Sequence, residues 1–145
     1  MGFEKQKKLA KEYRNVWVRT IINDKAYAFR SKGEHKLALY LETLRLGGLI
    51  KSWEHESHNF VFGNIFSFLV DFTVRNNDDT FEYFEFKGLV ETDTKRKLYA
   101  LAEYYPKTVI TMVMSDKKGI KKLGTRAGCI CKRVCLLSEL TKGIV

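Results

Sequence analysis

IFSFLVDFTVRNNDDTFEYFEFKG, residues 65 to 88, sets two aromatic and β-branched runs on either side of a cluster of turn formers, the pattern of a β-hairpin. Residues 65 to 74 are expected as one long strand, RNNDDT as the loop and TFEYFEFKG as the next strand. Side chains alternate across a strand, so Glu85 and Lys87 share a face. If Arg75 pairs with Phe81, the antiparallel register sets Asp71 across from Glu85, with β-carbons about 5 Å apart. Two facing carboxylates repel, and Asp71 sits inside FSFLVDFTV, where an unpartnered acid is costly. A divalent cation with a lysine alongside supplies what is missing. A register shifted by one residue would put the acids on opposite faces.

Upstream, Ser31 to Leu46 carries Leu37, Leu41 and Leu44 at helical spacing, and Gly47-Gly48 supplies a stop. Glu34 lies one turn inside this helix and admits two readings. It is a third carboxylate if the helix crosses the hairpin, or it completes a capping box with Ser31. IKSWEHESHNF, residues 50 to 60, reads as the strand and turn that precede the hairpin. VWVRTII (16 to 22) and AYAFR (26 to 30) read as a smaller hairpin, and residues 3 to 14 as a short basic amphipathic helix or arm. Downstream, TDTKRKLYALAEYY (92 to 105) is a helix with Leu98, Leu101, Ala102 and Tyr105 on its inner side, ended by Pro106. VITMVM (109 to 114) is a strand buried on both faces. From Asp116 to Arg133 lysine, arginine and glycine crowd together as a phosphate-tracking loop, and a short helix with Val134, Leu137 and Leu140 closes the chain.

The chain has 145 residues, an amount suited to one domain, and 45% hydrophobic residues with a single proline specify a folded core. No apolar run approaches the roughly 18 to 20 residues of a membrane span, and MGFEKQKKLAKEY lacks a signal-peptide core, so no membrane association is expected. Lysine plus arginine number 26 against 17 acids, a net charge of +9 that favours a polyanionic partner. Cys129, Cys131 and Cys135 are an odd set that suits a reducing, cytoplasmic compartment. A zinc site joining them to His55 or His58 is an alternative, although CxC…C is not the usual knuckle spacing. The histidines, His35 included, read as surface or strand-flanking side chains, with proton transfer open to one near a metal. Trp17 and Trp53 could stack on unpaired bases.

Asp71 followed by Glu85-Phe86-Lys87 on consecutive strands, with a Glu34 helix before and a helix and buried strand after, resembles the PD-(D/E)xK restriction-endonuclease-like superfamily. Val70 stands where the motif's proline would be. The resemblance spans about Ser31 to Met114 and implies an α/β (α+β) fold, a central mixed four-to-five-stranded sheet flanked by helices. Residues 1-145 then form a single nuclease domain: a basic helix and hairpin (1-30), the catalytic core (31-114) and a basic tail with a short helix (115-145). It implies Asp71 and Glu85 as ligands of Mg²⁺ or Mn²⁺ together with the Phe86 carbonyl, Glu34 as a direct or water-mediated ligand, and Lys87 as the residue that orients the attacking water. Lys95 and Lys97 would steady the scissile strand, with Lys117, Lys118, Lys121, Lys122 and Arg126 as further nucleic-acid contacts. Most similar are small phage-type nucleases, including Holliday junction resolvases, which implies cleavage of branched DNA by a homodimer in the cytoplasm, that of the host if phage-encoded. Transposase-type or RNA-directed nucleases of the superfamily are the neighbouring reading. A catalytically silent nucleic-acid-binding module is the reading from another class.

Overall fold

The computed structural model describes residues 16–143; the basic helix expected over residues 3 to 14 lies outside them. Strands β1 (Val18–Ile22) and β2 (Lys25–Phe29) pair antiparallel about Asn23 and Asp24. Both turn residues have positive φ, 50° and 63°, as a type I′ turn requires. Helix α1 (Lys32–Leu46) starts at Ser31, whose side chain accepts the Glu34 N–H at 3.1 Å. Then come β3 (Ser52–His55), β4 (Asn59–Phe62), β5 (Phe66–Leu69), β6 (Phe72–Arg75), β7 (Phe81–Lys87), α2 (Thr92–Tyr104), β8 (Ile110–Met114), α3 (Lys117–Gly128), β9 (Arg133–Leu136) and α4 (Leu137–Leu140).

The fold is mixed α/β, built on a five-stranded sheet of order β3-β6-β7-β8-β9. β6 pairs antiparallel with both β3 and β7, whereas β7, β8 and β9 are mutually parallel. Each face buries a separate core. On one, Leu37, Ala38 and Leu41 of α1 pack with Phe29, Trp53, Phe72, Val74, Phe84 and Val113. On the other, Leu98 and Leu101 of α2 and Leu123 of α3 pack with Phe60, Phe62, Phe68, Met112 and Met114. All of β8 is buried, as the apolar run VITMVM predicts. No helix among the described residues is long and apolar enough to cross a membrane.

Four expectations are corrected. The long strand over residues 65 to 74 is two strands, β5 and β6, belonging to different sheets. At the junction Val70 N–H donates to the His58 carbonyl at 3.2 Å, and the Asp71 carbonyl accepts from Glu56 N–H at 2.8 Å. Phe68 and Val70 enter the second core, Phe72 and Val74 the first. The basic stretch after Asp116 is no loop but α3, capped by the Asp116 carboxylate on Gly119 N–H at 2.8 Å. Its glycines are packing and kink positions. Gly119 lies against Met114, and Gly124, at φ 80°, breaks the helix geometry. Val134, expected in the last helix, is on β9, and α4 begins only at Leu137. In α2 the inner side is Thr94, Leu98, Ala100 and Leu101, while Ala102 and Tyr105 are exposed.

Candidate functional site

The β6–β7 hairpin has the register that Arg75 opposite Phe81 sets, and the pairing runs to Phe72 opposite Phe84. One step further the strands part and side chains replace the ladder. Asp71 N–H donates to Glu85 Oε1 at 2.9 Å, and Phe86 N–H donates to Asp71 Oδ2 at 2.8 Å. Lys87, two residues along the same face, brings Nζ to 3.4 Å from Glu85 Oε2. Glu85 is buried and Lys87 only partly so.

Helix α1 delivers the third acid. Gly33 lies so close to the Phe86 ring that no Cβ fits between them, which seats the helix N-terminus on β7. The buried Glu34 carboxylate turns inward and does not close a reciprocal capping box: Oε2 accepts Arg30 N–H at 2.6 Å, and Oε1 faces His55 Nε2 at 3.7 Å. Ser31 caps the helix, and Glu34 stands with the acids. The capping box expected of Ser31 and Glu34 is therefore not formed: Ser31 caps the helix alone, and the Glu34 carboxylate lies beside His55.

His55 ends β3 with its ring edge-on to Phe29 at 4.8 Å between centroids. Glu56 follows at φ 50°, a left-handed backbone that L-residues adopt at a cost of roughly 1–2 kcal/mol, and this sharp turn lets its N–H reach the Asp71 carbonyl. Glu56 Oε1 lies 3.7 Å from His55 Nε2 and 3.4 Å from Arg30 Nε. The sequence offers His55 as a strand-flanking histidine or as a zinc ligand with the cysteines, not as a partner of these acids, and gives Glu56 no role. The available signal was the spacing of Trp53 and His55, two residues apart and so on one face of a strand whose tryptophan is buried.

The electrostatics follow from three carboxyls with one nearby ammonium. Burial, then the charges of Glu85 and Glu34, push Asp71 up to about 10, so it keeps a proton that Glu34 shares. Burial raises Glu85 as well, against the pull of Lys87. Glu34 is held below the ordinary carboxylate range: burial opposes ionisation, but the nearby His55 ring, the Asp71 carboxyl and the Arg30 N–H outweigh it. Carboxylate oxygens suit a hard divalent ion, whereas the buried His55 Nε2, which has no hydrogen-bond partner, suits a borderline transition ion.

The expected nucleic-acid contacts fall on two helices. Lys95 and Lys97 lie on α2, where Lys97 pairs with Asp93 at 3.2 Å and covers the Phe68 ring. Lys117, Lys118, Lys121, Lys122 and Arg126 lie on α3, all exposed; the four lysines pair with no described carboxylate, and Arg126 lies over Tyr99. Ser115, just before α3, donates from N–H to the Lys87 carbonyl at 3.2 Å and from Oγ to that of Gly88 at 3.1 Å. The N-termini of α2 and α3 therefore start at the sheet end that carries Lys87.

The cysteines do not converge. Cys129 is exposed, Cys131 packs beside the second core, and Cys135 is buried in the first, across the sheet. His55 belongs to the acids, and His58 lies against Phe60 and Tyr83. Trp53 is buried and donates to Glu42 Oε1 at 3.0 Å, which removes it from base stacking, whereas Trp17 is exposed. Compared with protein-family models, curated proteins and solved structures, the chain finds no match.

Proposed function

We propose that the chain is a divalent-metal-dependent endonuclease of restriction-endonuclease-like architecture that hydrolyses DNA phosphodiesters, with branched DNA as its substrate. The observation that carries this reading is the meeting of buried Glu34 and Glu85, Asp71 and the Lys87 ammonium where β6 and β7 part. Asp71, Glu85, Glu34 and the Phe86 carbonyl would hold Mg²⁺ or Mn²⁺, which when bound withdraws charge from a phosphate and acidifies water.

The chain's own groups supply the rest. Lys87, anchored by Glu85 yet partly open to solvent, orients the attacking water and offsets negative charge that builds on the phosphorus oxygens. Lys95, Lys117 and Lys118, in the first turns of α2 and α3, offer ammonium groups to phosphates at the same sheet end. These contacts read backbone and shape, which suits a branched substrate. Cutting two opposed strands calls for two such centres and hence a homodimer.

The test is cleavage by purified protein with Mg²⁺ or Mn²⁺ on four-way junction, flap, linear duplex, single-stranded DNA and RNA. Cuts placed near the branch point, lost in Lys87→Ala while junction binding stays within about two-fold, are expected. Uniform degradation of linear duplex would reject the branched substrate, and inertness on every substrate with both metals would reject the nuclease.

A further inference from the structure

Phosphodiester hydrolysis at Asp71, Glu85 and Lys87 leaves His55 and Glu56 without a task. Among the described residues, Glu34, His55 and Glu56 form the one group of three metal-ligating side chains whose ligand atoms all lie within 4.8 Å of one another. The His55 side chain is only 10% exposed, and Nε2 is fully enclosed with no hydrogen-bond partner, 3.7 Å from an oxygen of Glu34 and from one of Glu56. An enclosed ring nitrogen without a partner is costly, and two carboxylates at that distance are too far to accept a good hydrogen bond.

We propose that Glu34, His55 and Glu56 form a second cation site, selective for borderline transition ions of the Fe²⁺ to Zn²⁺ class. Imidazole nitrogen suits those ions and adds little for Mg²⁺, which prefers an all-oxygen shell. Three protein ligands leave a position open to water or substrate, as catalytic zinc sites do. Arg30 is the present partner of both acids, through its N–H to Glu34 and its guanidinium 3.4 Å from Glu56. Its side chain is largely exposed and free to swing away, so Glu56 is released without repacking. The rings of Phe29 and Phe72 wall the other side of His55 and fix its orientation. Glu34 belongs to both donor sets, which would couple two ions through one carboxylate. The site rests on His55 and Glu56, and stands whether or not the chain cuts DNA.

The experiment follows the ring nitrogens of His35, His55 and His58 by long-range ¹H–¹⁵N correlation in the full chain during titration with Zn²⁺, with His55→Gln identifying its signal. The first equivalent is expected to shift His55 Nε2 alone. The same shift persists in Glu85→Gln, which separates this site from the nuclease centre. In Glu56→Gln the affinity falls by at least the roughly ten- to hundred-fold that losing even an outer-sphere partner costs. Should His55 carry protons on both nitrogens throughout, it is an imidazolium clamped between two acids and the proposal fails. It fails equally if all three histidines respond together. The wild-type titration decides the matter even if His55→Gln does not fold.

Discussion

In the absence of a cation, Asp71→Asn is expected to stabilise the protein, an unusual outcome for a residue assigned to a reaction centre. The unfolded chain ionises Asp71 above its ordinary value of 3.8, whereas the folded chain holds the proton up to about 10. Folding therefore takes up a proton over that window. The stability tied to Asp71 is complete below pH 3.8 and is lost progressively as pH rises toward 10. Between 3.8 and pH 7 lie about three pH units at about 1.4 kcal/mol each, a burden on the order of 4 kcal/mol at neutral pH. Asparagine escapes it. Its oxygen can accept the Phe86 N–H that now reaches Oδ2 at 2.8 Å, and its amide can donate to Glu34 where the shared proton does. Urea unfolding in EDTA at pH 5, 6, 7 and 8, followed by fluorescence of the buried Trp53, measures the difference. The variant's advantage is expected to widen by about 1.4 kcal/mol per pH unit and to reach a midpoint gain of roughly 2 M at pH 7. Saturating Mg²⁺ should reverse the order, since only the wild type gains binding free energy. A difference that stays flat with pH, or a variant less stable than wild type at pH 8, would mean that Asp71 is ionised in the folded chain and that the acids do not converge.

Glu85→Gln should fold with near wild-type stability but lose Mg²⁺-dependent cleavage. Glu85→Ala should lose a further 1–3 kcal/mol or so in urea unfolding because it orphans the Asp71 N–H; equal stabilities would place that amide in water. Gly33→Ala should drive the Phe86 ring aside at a cost of roughly 1–3 kcal/mol and displace the amide that holds Asp71, read as a weakened response of melting temperature to Mn²⁺; an unchanged response would show that α1 yields instead. Replacing Lys117, Lys118, Lys121 and Lys122 by alanine should lower the slope of log affinity for a DNA junction against log salt by up to about 3.6, at about 0.9 for each phosphate that a lysine no longer neutralises; an unaltered slope would move the DNA off α3.

The residues that meet were legible because a period-two pattern and one turn determine a hairpin's register. With Arg75 opposite Phe81, the facing of Asp71 and Glu85 followed by counting. What escaped did so for physical reasons. Phe66, Phe68, Val70, Phe72 and Val74 keep perfect alternation through the break at Val70-Asp71, so the pattern could not reveal that the inner side changes from one core to the other. Glycine misled in α3, because Gly119 serves as a close-packing position against Met114 and Gly124 as a kink, and both read locally as loop formers. Glu56 was invisible because its place depends on a left-handed backbone that nothing in the residue type announces.

The same break accounts for where the acids are. A continuous strand would commit the Asp71 amide and the Phe86 amide to ladder bonds and leave the two carboxylates without them. Because β5 leaves the sheet at Val70, these amides need acceptors, and the acids provide them: Glu85 for Asp71 N–H, Asp71 for Phe86 N–H. Each carboxylate thereby spends one oxygen on the backbone and keeps the other for the centre, where Glu85 Oε2 meets Lys87 and the Asp71 proton meets Glu34. Fold and candidate chemistry therefore share the same side chains, and truncation to alanine confounds the two. Amide isosteres remove the charge and keep the acceptor, so the pair Asp71→Asn and Glu85→Gln separates a structural clasp from a cation site.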